Sequence, residues 1–225
     1  HAAGLNFRDV LNVLGMYPGD PGLPGSECAG VVTTVGVGVT DLHVGDSVVG
    51  LAARSFDSYV TTRAALVTPL PATLSFADAV TIPSAFLTAA YGLQHLARLQ
   101  PGERVLIHAA AGGVGLAAVQ IAQHLGAVVF ATAGSPDKHA ALRARGVQHI
   151  FSSRTLDFAA QIRAVTGGQG VDVVLNSLAD EFITRSLDVL APSGRFLEIG
   201  KRGIWSAEDV AARYPGVVYL PYDLG

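Results

Sequence analysis

The fold of this chain is decided by residues 104–115, which read RVLIHAAAGGVG. A short apolar run typical of a buried strand leads into a glycine-rich turn, and apolar residues at helical spacing follow as far as Leu125. The turn aligns with the pattern Gly-x-Gly-x-x-Gly, with Ala110, Gly112 and Gly115 at the three glycine positions. Strand, turn and helix in this order predict the first unit of a sheet with parallel strands.

Strand-like and helical segments continue to alternate after this turn. Further strands are predicted at 128–132, 149–151, 171–175, 195–199 and 217–220, and helices at 136–145, 156–165 and 181–190. Because these strands are continuously apolar, helices should cover both faces of their sheet. Residues 86–225 are therefore predicted to form an α/β domain with a doubly wound parallel sheet.

Residues 1–85 have a different pattern. Short β-branched runs, separated by Gly, Pro and Asp, lie at 30–36, 44–50 and 58–62. Runs of this length and spacing predict a small β-rich domain. A helix is predicted to open near Ser84 and to end before the turn at Pro101, so that the domain boundary falls close to residue 85.

The composition excludes several classes of protein. Charged residues make up 15% of the chain and apolar residues 50%, so we expect a packed core and no extended disorder. A net charge of −3 without any basic run gives no reason to expect nucleic acid or a membrane as partner. No apolar stretch reaches the roughly 20 residues of a membrane span without Gly, Pro or a charge. The single cysteine, Cys28, fits a reducing compartment, and we expect a cytoplasmic protein.

The turn at 110–115 has the residues that a dinucleotide site requires. Gly112 lets the backbone approach a pyrophosphate, and Gly115 allows the helix to pack closely on the strand. Together with Ala110, Gly113 and Val114, these glycines would present the N–H groups of the helix N-terminus to the phosphates. The alternative is a glycine-rich turn in an α/β domain that binds no cofactor.

The end of the second predicted strand bears on the choice between NADH and NADPH. An NAD site usually has an acidic residue about 20 residues beyond the first glycine. Here the first acid is Asp137, which already belongs to the next helix. Ser135, Lys138 and Arg154 supply a hydroxyl and two cations suited to a 2′-phosphate, so we expect NADPH. The alternative is that Ser135 only caps the helix and that Lys138 is solvated.

No metal site is expected. A catalytic zinc needs converging Cys, His or carboxylate ligands, and the seven histidines show no such spacing. Cys28 lies among apolar residues and is expected to pack as a small hydrophobic side chain. His108 is expected to be a hydrogen-bonded polar residue near a strand end. The chemistry must then come from the cofactor and from protein groups.

Several motifs give the chain a family resemblance. They are GLNFRDV at 4–10, GMYPG at 15–19, AAAGGVG at 109–115, LNSL at 175–178 and GRFLEIGK at 194–201. In these stretches the chain resembles the medium-chain reductases, and among them the enoylreductase domains of type I polyketide and fatty acid synthases. The resemblance implies a Rossmann cofactor domain and a GroES-like substrate domain. Both ends of the sequence look cut, so we expect a piece of a longer polypeptide that lacks parts of the substrate domain.

The resemblance also implies an activity. NADPH would reduce a 2,3-enoyl thioester on an acyl carrier protein, among neighbouring synthase domains. Hydride adds to the β-carbon, and the α-carbon of the resulting enolate takes up a proton. The site must hold the nicotinamide over the alkene, stabilise the oxyanion and supply a proton donor. Zinc-dependent members of the superfamily have ligands near the positions of Asn6 and Ser26, and neither residue suits zinc.

Three residues are predicted to be catalytic. Tyr17 is a proton donor, because a phenol is protonated at neutral pH; the alternative is an aromatic residue that packs in a turn. Lys201 follows a strand end that faces the ligand cleft of a parallel sheet, where an ammonium can donate a proton or stabilise the enolate; the alternative is a surface lysine. By the resemblance, Asp223 pairs with Lys201 and tunes its acidity; the alternative is a loop aspartate without a role.

Three polar residues are predicted to contact the cofactor outside the glycine turn. Asn6 is expected at the nicotinamide, with a turn asparagine as the alternative. Asn176 and Ser177 are expected at the ribose, with a cap on the helix at 181–190 as the alternative.

Two other functions stay open: a freestanding NADPH quinone or enone reductase, and a non-catalytic NADPH-binding module. A binding module needs no proton donor, which argues against it.

Overall fold

The computed structural model describes residues 1–20 and 22–224. It divides into two compact units, His1–Leu87 and Thr88–Gly225. The first unit is built on an antiparallel sheet with the order β1-β2-β3-β4. Its strands are β1 (Ala2–Ala3), β2 (Glu27–Val31), β3 (Ser47–Leu51) and β4 (Val67–Pro69). Its helical segments are α1 (Phe7–Val13), a 3₁₀ turn (Ala64–Leu66), α2 (Phe76–Ala79) and the start of α3 (Pro83–Ala90).

Helix α1 is closed at both ends by its local sequence. The carboxylate of Asp9, in the first turn, accepts a hydrogen bond from the Asn6 N–H at 2.8 Å. After the last turn, Gly15 takes a left-handed conformation with φ +65°. The N–H groups of Gly15 and Met16 then donate back to the last turn at 2.9 and 2.8 Å, which is the Schellman ending of a helix. The chain therefore leaves α1 directly into the segment that carries Tyr17.

Two features of the first unit differ from the predictions. Residues 7–13 form a helix inside a region predicted to be β-rich. The predicted strand at 58–62 is wrong, because this segment is irregular. Tyr59 is 78% exposed, and the Thr62 hydroxyl donates to the Leu51 carbonyl at 2.9 Å. A β-branched run forms a strand only where one of its faces can pack against a neighbour.

The second unit is built on a parallel sheet with the order β10-β9-β8-β5-β6-β7. Its strands are β5 (Arg104–Ile107), β6 (Val128–Ala133), β7 (His149–Ser152), β8 (Val171–Asn176), β9 (Leu190–Glu198) and β10 (Val218–Pro221). Strand β5 lies between β6 and β8, so the strand order reverses there, as in doubly wound dinucleotide-binding sheets. Ligands of such sheets bind outside the carboxyl ends of the strands at this reversal. The predicted fold class is confirmed.

Helices connect the strands of the second unit. They are α4 (Gly113–His124), α5 (Pro136–Arg143), α6 (Phe158–Val165), α7 (Glu181–Asp188) and α8 (Ala207–Arg213), and a π-helical turn (Tyr91–Leu96) precedes β5. Helix α8 is absent from the predictions, although the sequence contains its start signal. The Ser206 hydroxyl accepts the Asp209 N–H at 3.0 Å, and an acidic residue three positions after a capping serine is typical of a helix start.

The core of the second unit lies at the middle of its sheet. Val105, Leu106 and Ile107 of β5 are fully buried. Leu106 belongs to one apolar cluster with Phe130 of β6 and Phe196 of β9. Strands buried on both faces explain the continuous apolar runs of the sequence.

His108 is a buried polar residue at the end of β5, as expected. One ring nitrogen lies 3.0 Å from the Thr132 hydroxyl, and the other lies 2.7 Å from the Ser186 hydroxyl. Burial lowers the pKa of His108 to about 3, so the ring is neutral at physiological pH. The side chain therefore links β5, β6 and α7 and carries no charge.

One helical stretch, Phe76–Leu96, is long and apolar enough to cross a membrane by length and composition, with a mean hydropathy of 1.2. Asp78 and Pro83 interrupt it, and 33% of its most apolar window is buried inside the protein. Core helices pass the same test, so the stretch is weak evidence of a membrane span.

Candidate functional site

The glycine turn joins β5 to α4 through a close backbone contact. A Cβ atom on Gly115 would lie 2.5 Å from the Ala109 carbonyl oxygen and 2.6 Å from the Ala110 Cα. These neighbours are backbone atoms that cannot move aside, so only glycine fits at this position. The missing side chain lets the first turn of α4 pack directly on the end of β5.

The other two glycines of the turn, Gly112 and Gly113, are exposed. A Cβ atom on Gly113 would meet no described atom within 4 Å, whereas one on Gly112 would lie 3.2 Å from the Ala109 carbonyl oxygen. Among the described residues, no side chain caps α4 at Gly112. The first N–H groups of a helix have no acceptor within the helix, and its dipole favours negative charge there. The start of α4 therefore has the donors and the room that a pyrophosphate needs.

The three residues predicted to bind a 2′-phosphate lie near the end of β6, where Ser135 and Lys138 follow β6 and Arg154 follows β7. Ser135 caps α5, since its hydroxyl accepts the Lys138 N–H at 3.4 Å. Arg154 lies against the same strand end, where a Cβ atom on Gly134 would be 2.8 Å from its Nε atom. Lys138 is exposed in the first turn of α5. Capping and phosphate binding are compatible, because a hydroxyl that accepts one hydrogen bond can still donate another.

Asn176, the last residue of β8, is hydrogen-bonded inside the protein. It is fully buried, and its amide nitrogen donates to the Leu178 carbonyl and to a Glu198 carboxylate oxygen, both at 2.8 Å. Its oxygen accepts the Leu178 N–H at 3.2 Å. Both N–H groups are thus used inside the protein, and the ribose contact expected of Asn176 remains a prediction. Ser177 is exposed next to it and remains a candidate.

The alternative role for these two residues, capping α7, is not what the structure shows. The N-cap of α7 is Asp180. Its φ of +58° and ψ of −131° are unusual for a residue other than glycine. The loop between β8 and α7 is therefore held in a strained backbone conformation next to the strand ends.

Glu198, the last residue of β9, is a site residue that the predictions missed. It is only 1% exposed, and its carboxylate accepts the Gly200 N–H at 2.6 Å and the Asn176 amide at 2.8 Å. Burial raises the pKa of Glu198 to about 7, although both hydrogen bonds and the charge of Lys201 lower it in part. The sequence does contain a signal for Glu198, since it is a single acidic residue within the apolar run of β9.

Lys201 and Asp223 form an ion pair at the same edge of the sheet. The Lys201 ammonium donates to an Asp223 carboxylate oxygen at 2.5 Å, and the two side chains are 28% and 42% exposed. Lys201 follows β9 and Asp223 follows β10, which pair as parallel neighbours. The two residues are 22 positions apart in the sequence, and parallel pairing of the strands brings them together.

Tyr222 anchors the segment that carries Asp223. Its hydroxyl donates to the Thr88 carbonyl at 2.9 Å, and its N–H donates to the Glu198 carbonyl at 3.0 Å. The ring packs against the π-helical turn, where a Cβ atom on Gly92 would overlap the Tyr222 hydroxyl. Burial raises the pKa of Tyr222, so the phenol stays protonated and keeps its hydrogen bond.

In the first unit, Asn6 is held by Glu27, the first residue of β2, and by Ser26, which precedes β2. Its amide nitrogen donates to Glu27 at 2.6 Å and to Ser26 at 3.3 Å. Glu27 is 4% exposed, and its other oxygen accepts the Ser84 N–H at 2.8 Å. The amide plane of Asn6 is therefore fixed by a buried carboxylate that is itself fixed by the first turn of α3.

Tyr17 is half-buried in a bend after α1. The Arg8 guanidinium lies 5.1 Å from the centre of its ring, in a cation–π arrangement. The catalytic role of Tyr17 remains a prediction.

Across residues 1–20 and 22–224, no group of three or more His, Cys, Asp and Glu side chains is arranged to hold a metal ion.

Two family profiles match the sequence. The profile described as "Alcohol dehydrogenase GroES-like domain" matches residues 1–90. The profile described as "Zinc-binding dehydrogenase" matches residues 113–215. The two matches fall on the β-rich part and on the parallel-sheet part of the chain.

Individual proteins match over the whole chain. The pikromycin polyketide synthase component PikAII of Streptomyces venezuelae is 55% identical over 226 residues, which are 100% of this chain and 6% of that synthase. The structure of the CurK enoyl reductase is 54% identical with a TM-score of 0.94, and the match covers 99% of this chain and 70% of CurK. The Escherichia coli quinone oxidoreductase complexed with NADPH is 34% identical with a TM-score of 0.88, over 99% and 71% of the two chains.

Proposed function

Because this chain belongs to the family of type I polyketide synthase enoylreductases, we propose that it reduces a 2,3-enoyl thioester with NADPH. The observation that carries the proposal is the likeness to the CurK enoyl reductase over 99% of the chain, at 54% identity. The quinone oxidoreductase has the same fold at 34% identity, which makes enoyl reduction the better supported activity.

The cofactor site is assigned to the glycine turn and to the end of β6. The N–H groups that follow Gly112 would hold the pyrophosphate, with Ala110 and Gly115 fixing the turn and Gly113 and Val114 donating. Ser135, Lys138 and Arg154 would hold the 2′-phosphate through a hydroxyl and two cations. Bound NADPH supplies the hydride that reduces the β-carbon of the substrate. Ser177 and Asn6 are assigned to the ribose and to the nicotinamide end.

Delivery of the proton to the α-carbon is assigned to the ion pair at the ends of β9 and β10. The Lys201 ammonium, held by Asp223 at 2.5 Å, can donate a proton to the α-carbon or stabilise the enolate oxygen. Tyr17 is the second candidate donor, through the proton of its phenol. Which of the two groups delivers the proton decides the configuration of a substituted α-carbon.

The chain matches only 6% of the synthase PikAII, so its partners are proposals as well. We place the domain among other synthase domains in the cytoplasm. The substrate would be an acyl chain presented as a thioester by an acyl carrier protein.

The test compares two substrates in the intact protein. NADPH oxidation is followed with a crotonyl thioester of pantetheine and with a small quinone. Faster reduction of the thioester, as judged by kcat/KM, supports the proposal. Faster reduction of the quinone would assign the chain to the quinone reductases, and tight NADPH binding without turnover of either substrate would leave a binding module.

A further inference from the structure

Glu198 is a buried ionisable group that the proposed reaction does not use. Its two carboxylate oxygens have separate partners, Gly200 on its own loop and Asn176 on the neighbouring strand. Asn176 and Glu198 face each other in the register of β8 and β9, at the carboxyl end of both strands. A buried carboxylate is costly unless it is hydrogen-bonded, so its presence at this edge of the sheet calls for a reason.

The reason lies in the loops that follow the two strands. A Cβ atom on Gly200 would be 2.7 Å from the Glu198 carboxylate and 3.5 Å from the Leu178 carbonyl. Asn176 holds both the carbonyl and the N–H of Leu178. The buried pair therefore ties the β8 loop, which carries Ser177, to the β9 loop, which carries Lys201.

We propose that Glu198 is a positioning residue, which together with Asn176 locks the loops after β8 and β9 and so fixes Lys201 against Asp223. The inference rests on the proposed function, since it concerns the residue assigned to proton delivery. Displacement of a reacting group by about 1 Å can cost about a hundredfold in rate. Loss of the buried Glu198–Asn176 pair that positions Lys201 should therefore lower turnover strongly.

The lock depends on the charge of Glu198. The groups that face it are Lys201 from its own loop, the neutral amide of Asn176 from β8, and Tyr219 from β10, whose pKa is raised to about 12 by burial and by Glu198. Because the pKa of Glu198 is raised to about 7, the carboxylate becomes protonated as the pH falls below that value. A protonated Glu198 has an O–H donor on one of the two oxygens that accept hydrogen bonds from Asn176 and Gly200. One of these two hydrogen bonds between the loops is then lost.

The first test variant is Glu198→Gln in the intact protein. Its side-chain NH2 group must face one of the two N–H donors, Asn176 or Gly200, so one of the two ties is lost while the shape is kept. We expect kcat for the crotonyl thioester to fall by about tenfold to a hundredfold at pH 8. The Kd of NADPH should rise much less than kcat falls, because the glycine turn lies on other strands and Ser177 is the one assigned cofactor residue on the β8 loop. The wild type should lose kcat as the pH falls below about 7, and the variant should not show this acid limb.

A matched control is Asp172→Asn. Asp172 lies on the same strand β8, but at its amino end, where it accepts the Arg104 N–H at 2.8 Å. This variant makes the same acid-to-amide change and should retain both kcat and the acid limb. A second variant, Asn176→Asp, removes the amide donor and places a like charge next to Glu198, so it should lower kcat at pH 8 as Glu198→Gln does.

The outcomes separate this inference from the proposed function. If the wild type reduces the thioester and Glu198→Gln keeps its kcat and its acid limb, the positioning role is overturned. The same holds if NADPH affinity falls in parallel with kcat, because the variant has then lost the fold of the site. A wild type that does not reduce the thioester contradicts the proposed function itself.

Discussion

The two halves of the candidate site in the second unit are built in opposite ways. The cofactor turn is local: one strand, one turn and one helix in residues 104–124 supply the backbone N–H groups. The acid–base edge combines Asn176, Glu198, Lys201 and Asp223, which come from three strand ends. A site that binds its ligand through backbone N–H groups tolerates many different side chains. A proton donor, in contrast, must be positioned by specific side chains.

The largest expected effect concerns the ion pair. Lys201→Met should lower kcat by about 10²- to 10⁴-fold, the range for loss of a general acid, while NADPH binding stays intact. Single-turnover measurements of NADPH oxidation, together with the Kd of NADPH, check this. The control is Arg202→Met, which removes the neighbouring cation and should leave kcat unchanged. Retention of wild-type kcat in Lys201→Met would remove the acid–base edge from the mechanism.

The next effect contrasts two glycines of the same turn. Gly115→Ala should destabilise the protein by about 3 kcal/mol, because its Cβ meets backbone atoms at 2.5 and 2.6 Å. Gly113→Ala should leave the free energy of unfolding unchanged or raise it by up to about 1 kcal/mol, because its Cβ has open space and alanine favours a helix. Urea denaturation measures both changes.

A variant of the same turn also tests the cofactor assignment. Gly112→Ala should weaken NADPH binding, since Gly112 is the position at which the backbone approaches the pyrophosphate. The Kd of NADPH is measured by fluorescence titration, with Gly113→Ala as the control. Unchanged affinity in Gly112→Ala would place the pyrophosphate elsewhere.

A smaller effect is expected at the end of β6. Lys138→Ala should weaken NADPH binding by about tenfold, the loss of one charged hydrogen bond, and should barely change the Kd of NADH. Parallel titrations with the two cofactors measure the difference. Equal losses for both cofactors would refute the assignment of Ser135, Lys138 and Arg154 to a 2′-phosphate.

The smallest effect on rate is expected at Tyr17. Tyr17→Phe removes the phenol proton but keeps the ring over Arg8, so hydride transfer should change little. The configuration at the α-carbon should change when an α-methyl enoyl thioester is reduced, and chiral analysis of the product measures it. Product of unchanged configuration would leave Lys201 as the donor.

The part of the site that could be predicted is the part encoded by neighbouring residues. The strand at β5, the turn at 110–115 and the Ser135 cap of α5 each lie within a few positions of one another. The predicted strand at 58–62 failed for the opposite reason, because whether a β-branched run pairs depends on a distant neighbour. Helix α8 was missed although its capping signal, Ser206 with Asp209, is local.

By itself, then, the sequence determined a doubly wound sheet, a glycine turn suited to phosphates and a β-rich partner unit, because apolar periodicity and turn residues act over short distances. Only the tertiary structure decided that Asn176 faces inward to Glu198 and that Glu198 is a buried acid behind Lys201. The register of β8 against β9 sets these contacts, and that register follows from the packing of the whole sheet.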